Sequence, residues 1–91
     1  MDFSVQHIGV HVRPELIAQV VARIDDKPIR VSLKRDAIEQ LVGPAIGDEG
    51  AMVVSLYGKL DTLRVAIEAH VFAHGVPLDR QLVLSWRDFN P

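Results

Sequence analysis

The histidines are the residues whose type and spacing best fit a chemical role, the binding of a metal ion. All four occur in pairs spaced i, i+4, His7 with His11 and His70 with His74. On a helix, the second pair places two imidazoles on neighbouring turns of one face, an arrangement that chelates zinc or nickel. A metal site needs a third ligand, for which His7, His11 and Glu68 are the candidates. The alternative is that the pair complements the helix dipole and hydrogen-bonds free carbonyls in the last turn.

The sequence contains none of the usual catalytic motifs. None of its serines has the glycine-flanked elbow or the local histidine and carboxylate of a nucleophile. The adjacent carboxylates Asp25-Asp26 and Asp48-Glu49 are typical of turns. The glycines of residues 43–50 match neither the P-loop nor the dinucleotide-binding pattern. We therefore expect a protein that is not an enzyme and that has no cofactor.

One basic concentration precedes the middle of the chain. Lys27, Arg30, Lys34 and Arg35 could form a patch for nucleic acid if a hairpin and a helix start bring them together. Carboxylates interleave with them, at Asp36 and Glu39 among others, and the formal net charge is −2. A solvated surface is therefore the favoured interpretation, and we do not expect nucleic acid to be a partner.

Composition limits the classes of protein further. The chain has 91 residues, which predicts a single domain over residues 1–91. It has no cysteine, so disulfides and thiolate chemistry are excluded and a reducing compartment is favoured. It has no apolar run of membrane-spanning length, and its first residues lack the pattern of an export signal. These features predict a cytoplasmic protein that does not act at a membrane.

The first third of the chain indicates strands. Residues 3–12 alternate loosely, which predicts an edge strand. Residues 14–25 fit a helix beginning at Pro14 or a strand, because Val20, Ala22 and Ile24 alternate with polar residues. The turn-forming residues that follow, 25–28, and the alternation in residues 29–33 favour a β-hairpin whose first arm is residues 18–25.

The remaining elements are predicted to be two helices and a strand. A short helix over residues 33–42 would be capped by Ser32 and ended by Gly43-Pro44. A long helix would run from about residue 52 to residue 74 and end at Gly75, with Pro77 just beyond. Alternation over residues 81–86 then predicts a final strand, with Trp86 on its apolar side.

The long helix has two apolar stripes on nearly opposite sides. The first predicts burial against the sheet and comprises Leu56, Leu60, Leu63, Ile67, Val71 and His74. The second contains Val65, Ala69 and Phe72, in line with Val54. Either the short helix and the termini cover this second stripe, or it contacts a second copy of the chain. We expect Val65, Ala69 and Phe72 to form the contact of a dimer.

Four short stretches carry a resemblance to a known family: residues 22–32, 36–41, 63–68 and 82–89. The third contains an Arg-x-x-Ile-Glu pattern, and the fourth closes on Asp88-Phe89. In this order they resemble a small bacterial family, the domain of unknown function 1488. The resemblance implies a β-hairpin, a short helix, a long helix and a last strand. It implies no activity, because that family has none assigned.

The sequence as a whole predicts an α+β fold. A small antiparallel sheet, made of the hairpin, the C-terminal strand and an N-terminal edge strand, would pack against one long and one short helix. The predicted function is that of a small binding or assembly module that self-associates through its long helix, with an unknown protein as another possible partner. A zinc- or nickel-binding protein using His70 and His74 is the second hypothesis. A nucleic-acid accessory protein using Arg30, Lys34 and Arg35 is the third.

Overall fold

The protein folds as a four-stranded sheet with helices on one face. The computed structural model describes residues 2–89, so the predicted domain limits Met1 and Pro91 lie outside the described residues. The strands are β1 (Phe3–His11), β2 (Ile17–Ile24), β3 (Lys27–Leu33) and β4 (Gln81–Leu84), in the spatial order β1-β2-β3-β4. The helices are α1 (Arg35–Val42), α2 (Glu49–Tyr57) and α3 (Leu60–His74), with short 3₁₀ turns at Gly43–Ala45 and Trp86–Asp88.

The predicted hairpin is confirmed by the pairing of β2 with β3. These strands are antiparallel, and only Asp25 and Asp26 lie between them. Both aspartates have left-handed backbone angles, with φ of 51° and 67°. Two such residues form the type I′ turn, whose twist matches that of the strands it joins. The helical interpretation of residues 14–25 is wrong, because every second residue from Ala18 to Ile24 is buried.

β1 is the predicted edge strand, and α2 protects part of its free edge. It pairs antiparallel with β2 and has an irregularity between Val5 and His7. Ile8 is buried, and its backbone N–H donates a hydrogen bond of 3.1 Å to the Tyr57 hydroxyl at the end of α2. A covered edge is less available to pair with another chain.

The last strand corrects one detail of the prediction. β4 is parallel to β3, so the sheet is mixed, although the prediction of an α+β fold is confirmed. A parallel neighbour requires a crossover, which α1, α2 and α3 provide between the two strands. β4 also stops at Leu84, because Ser85 and Asp88 form a capping box that starts the 3₁₀ turn containing Trp86.

The short helix lies where it was predicted, but its cap differs. Ser32 belongs to β3 and pairs with Gln19 and Val83, so it cannot cap the helix. α1 begins at Arg35 after an extended Lys34, and no side chain caps it. Gly43, with φ of 54°, ends the helix as predicted.

The predicted long helix is two helices. α2 begins at Glu49, where the Asp48 side chain accepts a hydrogen bond of 3.0 Å from the Ala51 N–H. It ends at Tyr57, because the backbone of Lys59 leaves the helical region with φ of −114° and ψ of 24°. α3 starts immediately afterwards and ends before Gly75, which is the predicted end point.

The core lies between the helices and one face of the sheet. Ala18, Val20, Ile29, Val31 and Leu33 are among the strand residues on this inner face. The helices contribute Ala37, Ile38, Leu41, Val42, Met52, Leu56, Leu63, Ala66, Ile67 and Val71. The first predicted stripe is therefore buried, except that Leu60 is half-buried and His74 is exposed. Among the described residues, none of the helices has both the length and the apolar character needed to cross a bilayer.

Candidate functional site

The second apolar stripe of α3 is exposed. Phe72 is 91% exposed and Val65 67%, and Ala69 between them is exposed as well. At 100° per residue these three residues, here called the α3 stripe, point away from buried Leu63 and Ile67. Within residues 2–89 neither the short helix nor the terminal segments cover Val65 or Phe72, so the alternative in which they bury the stripe is wrong. Val54 is also exposed, on the separate helix α2.

A shallow groove of about 420 Å³ runs beside the α3 stripe, here called the α3 groove. It is lined by Asp61, Thr62, Val65, Ala66, Ala69, Asp88 and Phe89. Phe89 stacks on Trp86 with ring centroids 6.0 Å apart and planes inclined by 13°. The Ser85–Asp88 capping box fixes the turn that carries both rings. Phe89 therefore forms an apolar wall opposite Val65 and Ala69.

The next side of α3 carries a surface ion pair. The Arg64 Nε donates a hydrogen bond of 2.7 Å to the Glu68 Oε1. This hydrogen bond is the main cause that raises the pKa of Arg64, and the Glu68 charge adds to it. The α3 stripe thus has the Arg64–Glu68 pair along one border, and on the other it shares the α3 groove with Asp61 and Asp88.

The histidine pair supplies two neighbouring imidazoles. The rings of His70 and His74 have centroids 4.8 Å apart, and the His70 Nδ1 lies 3.7 Å from the Asp88 Oδ1. His7 and His11, proposed as third ligands, belong to β1, where they pair with residues on the face of the sheet opposite the core. Within residues 2–89 no group of three or more potential ligands could hold a metal ion. Metal binding by His70 and His74 therefore stays a prediction.

The predicted basic patch is divided. Arg30 lies on the face of the sheet opposite the core and borders a groove with Asp79, Arg80 and Gln81. Lys34 and Arg35 line a second groove, of about 990 Å³, at the ends of β3 and β4. Arg35 is paired with Glu39 one turn along α1. Arg30 and Lys34 thus belong to two different grooves.

No helix or loop within residues 2–89 covers the face of the sheet opposite the core, here called the open face. The strand register places on it Ser4, His7, Gly9, His11, Ile17, Gln19, Val21, Arg23, Pro28, Arg30, Ser32, Gln81 and Val83. None of them is buried, whereas Ala18, Val20, Ala22, Val31 and Leu33 on the inner face are fully buried. Sequence reasoning missed this surface, because its members alternate with core residues and lie far apart in the chain.

The chain matches no model of a known protein family, no curated protein and no solved structure. The resemblance to the domain of unknown function 1488 therefore stays a prediction.

Proposed function

We propose that this protein is a non-enzymatic assembly module that forms a homodimer through the α3 stripe and the α3 groove. The observation that supports the proposal best is the exposure of Phe72, which is 91%. A large apolar side chain beside two further exposed apolar residues is the usual mark of an association surface. The proposed location is the cytoplasm, a reducing compartment, because the chain has no cysteine and forms no disulfide.

A second copy is the favoured partner because the surface is complementary to itself. Ala69 lies one turn after Val65 and one turn before Phe72, so it is the centre of the stripe. In a two-fold pair of antiparallel α3 helices, Ala69 faces its own counterpart and each Phe72 faces the other copy's Val65. The α3 groove beside Val65 then accepts that phenyl ring. The small central side chain lets the two helices approach closely.

The test compares Phe72→Asp with the native chain by light scattering over a dilution series. We expect the native chain to have twice its mass of 10.1 kDa and the variant to be a monomer. The aspartate places a charge in an apolar contact, and loss of an aromatic anchor costs about 2 kcal/mol or more, roughly thirtyfold in the dissociation constant. Because Phe72 contributes little to the core, the circular dichroism spectrum should not change.

Val54→Asp is the matched control. Val54 is 73% exposed, but it lies on α2 and does not line the α3 groove. The control should remain a dimer. A monomeric native chain, or a Phe72→Asp variant that keeps the native mass, would contradict the proposed function.

A further inference from the structure

The open face of the sheet has an unusual distribution of charge. The four strands contain no aspartate or glutamate, although the chain has 12 of these residues. The open face itself carries Arg23, Arg30, His7 and His11. The open face therefore has no carboxylate, although the net charge of the whole chain is −2.

The grooves at the borders of the open face extend this excess of positive charge. One contains Lys34, Arg35 and Arg87 with Glu15 and Asp36, and it includes the open-face residues Ile17, Ser32 and Val83. The other contains Arg30 and Arg80 with Asp79. The open face and both grooves thus hold six of the ten lysines and arginines but three of the 12 carboxylates, and Glu39 adds a fourth carboxylate through its ion pair with Arg35. Outside the strands four of these cations lie among these carboxylates, so the excess of positive charge is concentrated on the open face itself.

The two arginines of the open face are available to a ligand. Arg30 is exposed, and Arg23 is exposed with its guanidinium donating a hydrogen bond of 3.3 Å to the carbonyl of Asp26. Within residues 2–89 neither arginine forms an ion pair. Gln19, Gln81 and Ser32 lie beside them and offer neutral hydrogen-bond donors. Cations with amide and hydroxyl donors are the groups that contact phosphate oxygens.

The remaining chemistry of the face distinguishes among anionic partners. A protein interface takes most of its binding energy from buried tryptophan, tyrosine and arginine side chains, and base recognition by stacking needs aromatic rings. The open face has no phenylalanine, tyrosine or tryptophan, and its most exposed apolar residue is Val83, at 57%. From Pro28 to Lys34 the surface extends about 20 Å at roughly 3.4 Å per residue, which is about six base-pair steps of a duplex. We infer that the open face binds the phosphate backbone of nucleic acid without reading its base sequence.

The test is salt-dependent binding of a labelled duplex to the native chain, followed by fluorescence anisotropy. We expect the logarithm of the affinity to fall linearly with the logarithm of the salt concentration, with little difference between unrelated sequences. Arg23→Gln/Arg30→Gln should weaken binding about tenfold or more and reduce the magnitude of the salt slope by about two, one for each phosphate contact removed. Both residues are exposed, so this variant should keep the native fold.

Arg64→Gln is the matched control, because Arg64 is exposed on α3, on the other side of the sheet. It removes one positive charge, as each of the two substitutions in the double variant does, and should keep the affinity of the native chain. No binding at low salt, or an equal loss in Arg64→Gln, would overturn the inference. Equal affinity for polyglutamate at the same charge concentration would also overturn it, because the face would then suit acidic proteins. The result is independent of dimerisation, since Phe72→Asp leaves the open face intact.

Discussion

An Ile67→Ala variant is expected to lose about 3 kcal/mol of unfolding free energy, because the substitution leaves a cavity where α3 meets the core. Ile67 has no exposed surface and lies among Leu63, Val71 and the inner face of the sheet. The lost free energy combines the transfer of the deleted carbons with the unfilled space. Urea denaturation at one fixed protein concentration measures this difference.

Gln40→Ala provides the comparison at a helix surface outside the α3 groove. Gln40 is exposed on α1, so its truncation should change the unfolding free energy by less than about 0.5 kcal/mol. Equal losses in the two variants would mean that the burial assigned to α3 is wrong.

Gly75→Ala should destabilise the protein by about 2 kcal/mol, although the added methyl group meets no atom within 4 Å. The backbone of Gly75 has φ of 77° and ψ of 173°, a region that only glycine occupies readily. Its N–H donates a hydrogen bond of 2.7 Å to the Val71 carbonyl, which fixes the end of α3. The cost is therefore conformational, and thermal and urea denaturation will measure it.

Glycine to alanine at position 50 should change the stability in the opposite direction. This residue lies in the first turn of α2 without a positive φ, and an added Cβ would lie 3.5 Å from the Asp48 carboxylate, an ordinary contact. Alanine should stabilise the protein there by roughly 0.5 kcal/mol, because it restricts the unfolded chain. A stabilising Gly75→Ala would contradict the backbone geometry at the end of α3.

Most elements of the fold could be predicted from local patterns in the sequence. Alternation over residues 18–33 predicted the hairpin because one face of β2 and β3 is buried, and the turn residues between them suit positive φ. Gly43 and Gly75 were predicted as helix ends for the same local reason. These features depend on neighbours in the sequence, which is why a single sequence contains them.

Two features of the fold depend on contacts between distant residues. Alternation is the same for parallel and antiparallel strands, so residues 81–84 could not indicate the direction of β4. Leu56, Leu60 and Leu63 keep helical spacing across Gly58 and Lys59, so the break between α2 and α3 gave no signal in the apolar pattern.

The two candidate surfaces also differed in how far the sequence could predict them. The α3 stripe lies within one helix, so its periodicity was visible and its exposure could be predicted. The open face brings Arg23 of β2, Arg30 of β3 and Gln81 of β4 together through the strand register. In the sequence these are isolated polar residues, and the lack of carboxylates among them has meaning only once the strands are paired.

Because the helices all lie on one side of the sheet, dimerisation would change the number of nucleic-acid segments that one particle can bind. The α3 stripe points away from the sheet, and the open face lies on the opposite side of the same sheet. Two copies joined through α3 would form four layers, with the helices inside and the two open faces outside, directed away from each other. Such a dimer would bind two separate segments of nucleic acid and bridge them, whereas a single copy would bind only one segment.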